Sequence, residues 1–311
     1  MRIQNNTAAF NVWANYSTNL AKMQSSMSKL STGEIATTDD PAGVGISERM
    51  RAQIDSVSMA RQNTDNAISM MQTADSWLQK INDQLSRMKE LSVEAESGTL
   101  SDSDKSNIQV EFKAMQDEIT RITSKYTAAA KFNGLYLFRG GDGSADTDGD
   151  KVGTGEISVQ VGADVNQKIT ISLNDLQVTN TQSIGSIHTY SYGDGTTVLG
   201  SSHDSVTWAS VIDSSQMSIG DSNVVGKLEV AIDYVASARA SVGAQQNRIE
   251  QTNSGLLAYE DNLTAAESQI RDIDMAQETT EFSKYQVLTN AANAMLAQAN
   301  QLPQNVLQLL G

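Results

Sequence analysis

Histidines and clustered carboxylates are the side chains here whose types could do chemistry, and both are sparse. The only histidines are His188 and His203. Neither has a histidine or acidic neighbour at helical metal spacing, and no His-Glu-x-x-His run occurs. Both fall in glycine-rich sequence and read as solvated loop residues. Asp39-Asp40 could hold a cation, but beside Pro41 and Gly43 a carboxylate pair reads as a helix cap. Asp272 and Asp274 flank an apolar position and read as facing solvent or a neighbouring copy. With no cysteine there is no thiolate nucleophile and no disulfide framework. No glycine-rich phosphate loop follows a strand. The expectation is no catalytic residue, no metal and no cofactor: a structural chain, not an enzyme.

The elements that would position any site point the same way. Trp13, Tyr16, Leu20, Met23, Met27 and Leu30 alternate at spacings of three and four, which predicts an amphipathic helix over about 5–32. Gly33 supplies its C-cap, and the Thr37 to Gly43 cluster reads as a loop. A second stripe through Val57, Ala60, Ala67, Met71, Ala74, Leu78, Ile81, Leu85 and Met88 has Thr64 as a polar intruder and predicts a long helix ending near Gly98. Ser101 to Asp104 offers N-caps for a third helix with seam Ile108, Phe112, Met115, Ile119, Ile122 and Tyr126. Near Phe132 the period becomes two. Ile157, Val159 and Val161, then Ile169, Ile171 and Leu173, flank a Gly162 to Gln167 turn and predict a β-hairpin.

Residues 139–222 hold 12 of the 21 glycines and read as a turn-rich β region. Helical periodicity returns with Ile249, Leu256, Leu263 and Ile270, a heptad apart, interleaved with Tyr259, Ala266 and Ile273. A last stripe, Leu288, Ala292, Met295, Ala299, Leu302, Val306 and Leu309, contains Pro303, which could kink it. The methionines on these stripes read as core and interface.

The chain's 311 residues carry a formal charge of −15, which disfavours nucleic acid and anionic membranes as partners. The start lacks the apolar stretch of a Sec-type signal, and no apolar run reaches membrane-spanning length. Acidity is confined to the middle: residues 1–38 sum to +2, residues 282–311 to +1, and residues 39–281 to −18. A helix whose one charge is Lys284 needs burial by partners, so both terminal helices are expected to order only on assembly.

The residues now assembled resemble bacterial flagellin. The resemblance rests on Leu30-Ser-Thr-Gly33, Asp39-Asp-Pro-Ala-Gly43, Ala60-Arg-Gln-Asn63, Arg87-Met-Lys-Glu-Leu91 and Phe132-Asn-Gly134 at one end. At the other it rests on Ala244-Gln-Gln-Asn-Arg248, Glu267 to Asp274 and Met295 to Leu310. It covers about 1–175 and 225–311. The segment from Gly33 to Asp39 departs from the pattern, being shorter and lacking the customary Arg-Ile-Asn.

The resemblance implies a mainly α chain with a β-rich middle. Terminal helices 1–38 and 282–311 would pair as coiled coils in a filament core, 39–176 with 225–281 would form a helical bundle carrying the hairpin, and 177–224 would be a small exposed insertion. It implies a helical homopolymer, the extracellular flagellar filament that drives swimming, exported through the flagellar type III apparatus. Implied partners are further copies, a distal cap, hook–filament junction proteins, an export chaperone and the innate receptor TLR5. Subunit packing falls on Trp13, Leu20, Met23, Met27, Leu30, Leu288, Met295, Leu302 and Leu309.

Receptor contact carries over to Arg87, Leu91 and Glu111, the first two being i, i+4 on one helical face. Thr179, Thr181, Ser183, Thr196 and Thr197 are candidate O-glycosylation sites because their region is turn-rich and outermost. Three readings compete with a filament subunit: a hook–filament junction protein, a flagellin with a hydrolase insert, and a soluble coiled-coil module.

Overall fold

The computed structural model describes residues 6–124, 128–138, 156–174, 176, 183–190, 201–221 and 223–310, with side chains excepted at 156, 187–190, 201–204 and 302–310. The chain order is α1 (Thr7–Thr32), α2 (Pro41–Ala95), α3 (Asp102–Thr123), β1 (Lys131–Phe132), β2 (Leu135–Tyr136), β3 (Glu156–Gln160), β4 (Lys168–Ser172), β5 (Ser183–Tyr190), β6 (Ser201–Thr207), α4 (Trp208–Ile212), α5 (Val224–Arg271) and α6 (Met275–Leu310). The strands pair as three antiparallel ribbons, β1 with β2, β3 with β4 and β5 with β6.

The helix ends follow local chemistry. Asn6 caps α1 by accepting from Ala9 N at 3.1 Å, and Gly33 ends it in the left-handed region at φ 75°, a conformation that a Cβ would strain. Asp40 Oδ1 accepts from Gly43 N at 2.8 Å, so the expected cap is real and α2 begins at once with Pro41 in its first turn. The Thr37 to Gly43 loop is therefore shorter than its composition predicts. Ser101 and Asp104 form the expected capping box on α3. Thr64, the intruder in the α2 seam, is buried because its hydroxyl donates to Ala60 O at 2.7 Å.

The chain divides into two compact units. One comprises Met1–Asp55 with Tyr259–Gly311, the other Ser56–Ala258. The boundaries fall inside α2 and α5, not near 38 and 282, because the first turns of α2 and the last of α5 are bonded to the α1 end of the chain.

In the larger unit, Met71, Ala74, Leu78, Ile81, Leu85 and Met88 of α2 are sealed with Phe112, Ile119 and Ile122 of α3 and with Leu228, Ala231, Val235, Ala238 and Val242 of α5. The α5 stripe starts at Val224, some way ahead of the heptads legible at Ile249. The expected hairpin forms, with Ile157 opposite Ile171 and Val159 opposite Ile169. Gln245 of α5 fastens it, accepting from Ser172 N at 2.9 Å and donating to Ser172 O at 3.0 Å.

The expectation of a small exposed insertion over 177–224 does not hold for its last part. Val206, Trp208, Val211, Ile212, Met217 and Ile219 belong to the same core. Buried Gln116 of α3 holds this stretch by donating to Val211 O and Met217 O, and Gln109 Oε1 accepts from Ile219 N at 2.7 Å. The histidine reading is corrected as well: His188 and His203 stand opposite each other in β5 and β6, not in loops.

Candidate self-assembly surface

In the unit formed by the chain ends, α1 and α6 pack side by side. The covered positions on α1 include Ala9, Val12, Tyr16, Asn19, Met23, Ser26 and Leu30, and those on α6 include Phe282, Tyr285, Thr289, Ala292, Leu296 and Ala299. Both series alternate by three and four, the spacing of a coiled-coil seam. Small residues at Ala9, Ser26, Ala292 and Ala299 let the backbones approach. At one end Asn6 Nδ2 donates to Ala299 O at 2.9 Å. Midway, Lys22 and Lys284 both lie over the Tyr285 ring, at 5.6 and 5.5 Å from its centroid.

At the other end the two chain crossings meet. Ile35 N donates to Arg271 O at 2.8 Å and Ile273 N donates to Gly33 O at 3.1 Å, making Glu34 and Asp272 antiparallel bridge partners. Glu34 accepts from Arg51 and from Arg271, each at 2.7 Å. Arg51 also binds Glu267 at 2.7 Å, and Arg271 reaches Glu48 at 3.1 Å and Ser47 Oγ at 3.0 Å. The guanidinium of Arg51, then that of Arg271, holds the Glu34 carboxyl below its ordinary range. Gly43 suits this joint, since a Cβ there would push the Asp40 carboxylate out of its capping position and crowd Ile270. Lys29 pairs with Asp39, whose bond raises the lysine above its ordinary value.

The predicted packing residues divide between two faces. Leu20, Met23 and Leu30 lie on the half-covered side of α1. Trp13 is 55% exposed and Met27 54%, with Phe10 beside Trp13 at a ring separation of 6.1 Å. On α6, Leu288 is 39% exposed and Met295 60%, with Val287 exposed next to them. The α6 seam is thus rotated from the predicted stripe, which it shares only at Ala292 and Ala299 among the described side chains. Leu302 and Leu309 lie outside the described side chains, although α6 runs on through Pro303. Both helices therefore carry one apolar face toward each other and a second that no other described residue covers.

The residues named for receptor contact differ in exposure. Arg87 is at the surface and binds Glu111 at 2.9 Å, whereas Leu91 is 1% exposed inside the core. The helical face holding Leu91 is the one α2 turns to the core. Of the glycosylation candidates, Ser183 is exposed at the start of β5, while Thr179, Thr181, Thr196 and Thr197 lie outside the described residues. Among the described residues no cluster of three or more His, Cys, Asp or Glu side chains could hold a metal, and no helix is long and apolar enough to cross a membrane.

Paired end helices with uncovered apolar faces define a self-associating structural protein. The bacterial flagellin N-terminal helical region matches residues 3–142 and the C-terminal helical region matches residues 225–310. A flagellin of Bacillus subtilis (strain 168) is 38% identical over 321 residues, covering 100% of both chains. A flagellar filament 33 kDa core protein of Treponema phagedenis is 36% identical, covering 94% of this chain and 93% of that one. The chain belongs to the bacterial flagellin family, and it is a structural subunit of the extracellular flagellar filament.

A solved flagellar hook-associated protein from Vibrio parahaemolyticus shares the fold at TM-score 0.51 and 13% identity, covering 75% of this chain and 100% of that one. That likeness concerns fold alone. The relatives by sequence are filament proteins, which favours the filament reading over the junction protein.

Proposed function

We propose that subunits join by burying the outer faces of α1 and α6, with Trp13, Met27, Leu288 and Met295 as anchors, against the same faces of neighbouring copies. The observation that carries this is the exposure of all four on helices whose charged side chains are confined to Lys22 and Lys29 on α1 and to Glu278, Glu281 and Lys284 at the start of α6. Fully burying a side chain of this size contributes about 1.5–3 kcal/mol, so a few anchors per subunit suffice to drive a polymer. On this reading the end helices gain their remaining partners only in the filament, and they order fully there.

Leu288→Asp or Met295→Asp would leave an unpaired charge in a buried contact at a cost of about 3–5 kcal/mol. At tenfold per 1.4 kcal/mol, the critical concentration for seeded growth should rise by at least about a hundredfold. Unfolding of the larger unit should stay unchanged, and Met295→Leu should assemble normally. Filaments formed by the aspartate variants at the parental concentration would refute the role given to these faces.

The same reading carries with it export through the type III apparatus, an export chaperone, a distal cap, hook–filament junction proteins, and receptor contact by monomers through Arg87 and Glu111. Co-purification of the chain with each partner checks these individually.

A further inference from the structure

The chain has two histidines in 311 residues, and they are register partners in one ribbon, His188 of β5 opposite His203 of β6. The register runs without a break on either side of them, from Gly185 opposite Val206 to Tyr190 opposite Ser201. Alternation along a strand sorts such pairs onto two faces. Gly185 and Val206 fall on one face, and Ser186 with Ser205 on the other, which is also the face of His188 and His203.

The face of Gly185 and Val206 is the one laid against the core. Val206 is buried, and a Cβ added at Gly185 would come within 2.6 Å of Val230 Cγ1 on α5. Ser186 and Ser205 are both exposed. The histidine pair therefore belongs to the solvent side of the ribbon.

Residues directly opposite each other in an antiparallel pair have Cβ atoms about 4.5–5.5 Å apart. Two imidazoles rooted at that spacing can each bring a nitrogen to about 2.0–2.1 Å from a single ion, the length of a zinc–histidine bond. Imidazole suits zinc, nickel and copper(II), whereas calcium and magnesium take oxygen ligands. The surrounding charge draws in cations, since residues 39–281 sum to −18. Asp204 adjoins His203 in sequence but pairs with Ile187 on the other face, so the site consists of two nitrogens with water completing the coordination. A tie here has something to stabilise: β5 and β6 form a two-stranded sheet of their own, and a lone ribbon is marginal.

We propose that the register pair His188 and His203 is a binding site for one divalent transition-metal ion of the zinc and nickel class, and that the bound ion fastens β5 to β6. The site is independent of the faces by which copies assemble.

Calorimetric titration of zinc, and separately of nickel(II), into the full chain without a histidine tag tests this. One ion per chain should bind through the pair, and magnesium at the same concentration should not compete. His188→Gln and His203→Gln should each weaken zinc binding at least about a hundredfold, the loss expected when two linked donors become one. His188→Thr/Thr189→His keeps both histidines and the composition while moving one to the opposite face, and it should lose zinc to the same extent. Amide exchange keeps the ribbon itself in view. Without metal the variants should exchange as the parent does, and saturating zinc should slow exchange across 184–190 and 201–206 in the parent alone. Absence of zinc uptake by the parent would overturn the proposal. So would zinc binding that survives in the glutamine variants, which marks an adventitious ion only, held by surface carboxylates. Full affinity in the exchanged variant would overturn it as well, because two histidines would then act without their register.

Discussion

At the residue scale, Glu34 shows how much of a joint can rest on one carboxylate. Two guanidinium groups, Arg51 foremost and then Arg271, favour its charged form, so its affinity for a proton is lower in the folded chain than its ordinary value of 4.5. A depressed carboxylate contributes stability above its unfolded pKa, and that contribution is lost as pH falls through the depressed folded value. The stability difference between the parent and Glu34→Gln should therefore be present near neutrality and flat down to about pH 5. It should close only in stronger acid. Thermal unfolding of both forms across pH checks this, and a difference that stayed constant or widened in acid would contradict it. None of this pairing was legible in the sequence, because Glu34 and Arg271 are far apart along the chain. What was legible was that the Asp39-Asp40 pair is structural: Asp40 caps α2 and Asp39 holds Lys29.

At the element scale, the stripes of α1, α2 and α3 were readable because bulky apolar residues mark each turn. The start of α5 was not, since its buried positions include Ala231 and Ala238 and its first turn carries Gly226. Alanine is too small for its burial to stand out from its surroundings. The short α4 was hidden for another reason. Five residues cannot form a helix on propensity alone, and Trp208 to Ile212 is helical because the core and the Gln116 bonds hold it there. Trp208 is completely buried, so Trp208→Ala should cost about 3–5 kcal/mol. For a unit of this size that lowers the midpoint of thermal unfolding by roughly 6–20 °C. A surface insertion would change by no more than about 0.5 kcal/mol, and an unmoved midpoint would restore that picture. The α6 stripe shows the limit of periodicity: it identifies an amphipathic helix, while two apolar faces side by side leave open which one a given neighbour takes.

At the scale of the whole molecule, charge told more than motif. The confinement of acidity to the middle of the chain leaves end helices that cannot be ordinary solvated surface, and the uncovered sides of α1 and α6 follow from that. Which residues face the partner helix and which stay exposed required the structure, because bulky apolar residues occur at helical spacing on both sides. The central claim is that the outer faces are closed by other copies, and methionine oxidation tests it most directly. Met27 and Met295 stand on those faces, whereas Met71 and Met88 are sealed in the core and set the floor for unreactive positions. Brief peroxide treatment of monomer and of filament, read residue by residue by mass spectrometry, should oxidise Met27 and Met295 readily in the monomer and bring both down toward the Met71 and Met88 level in the filament. Equal oxidation of Met27 and Met295 in the two states would contradict the account.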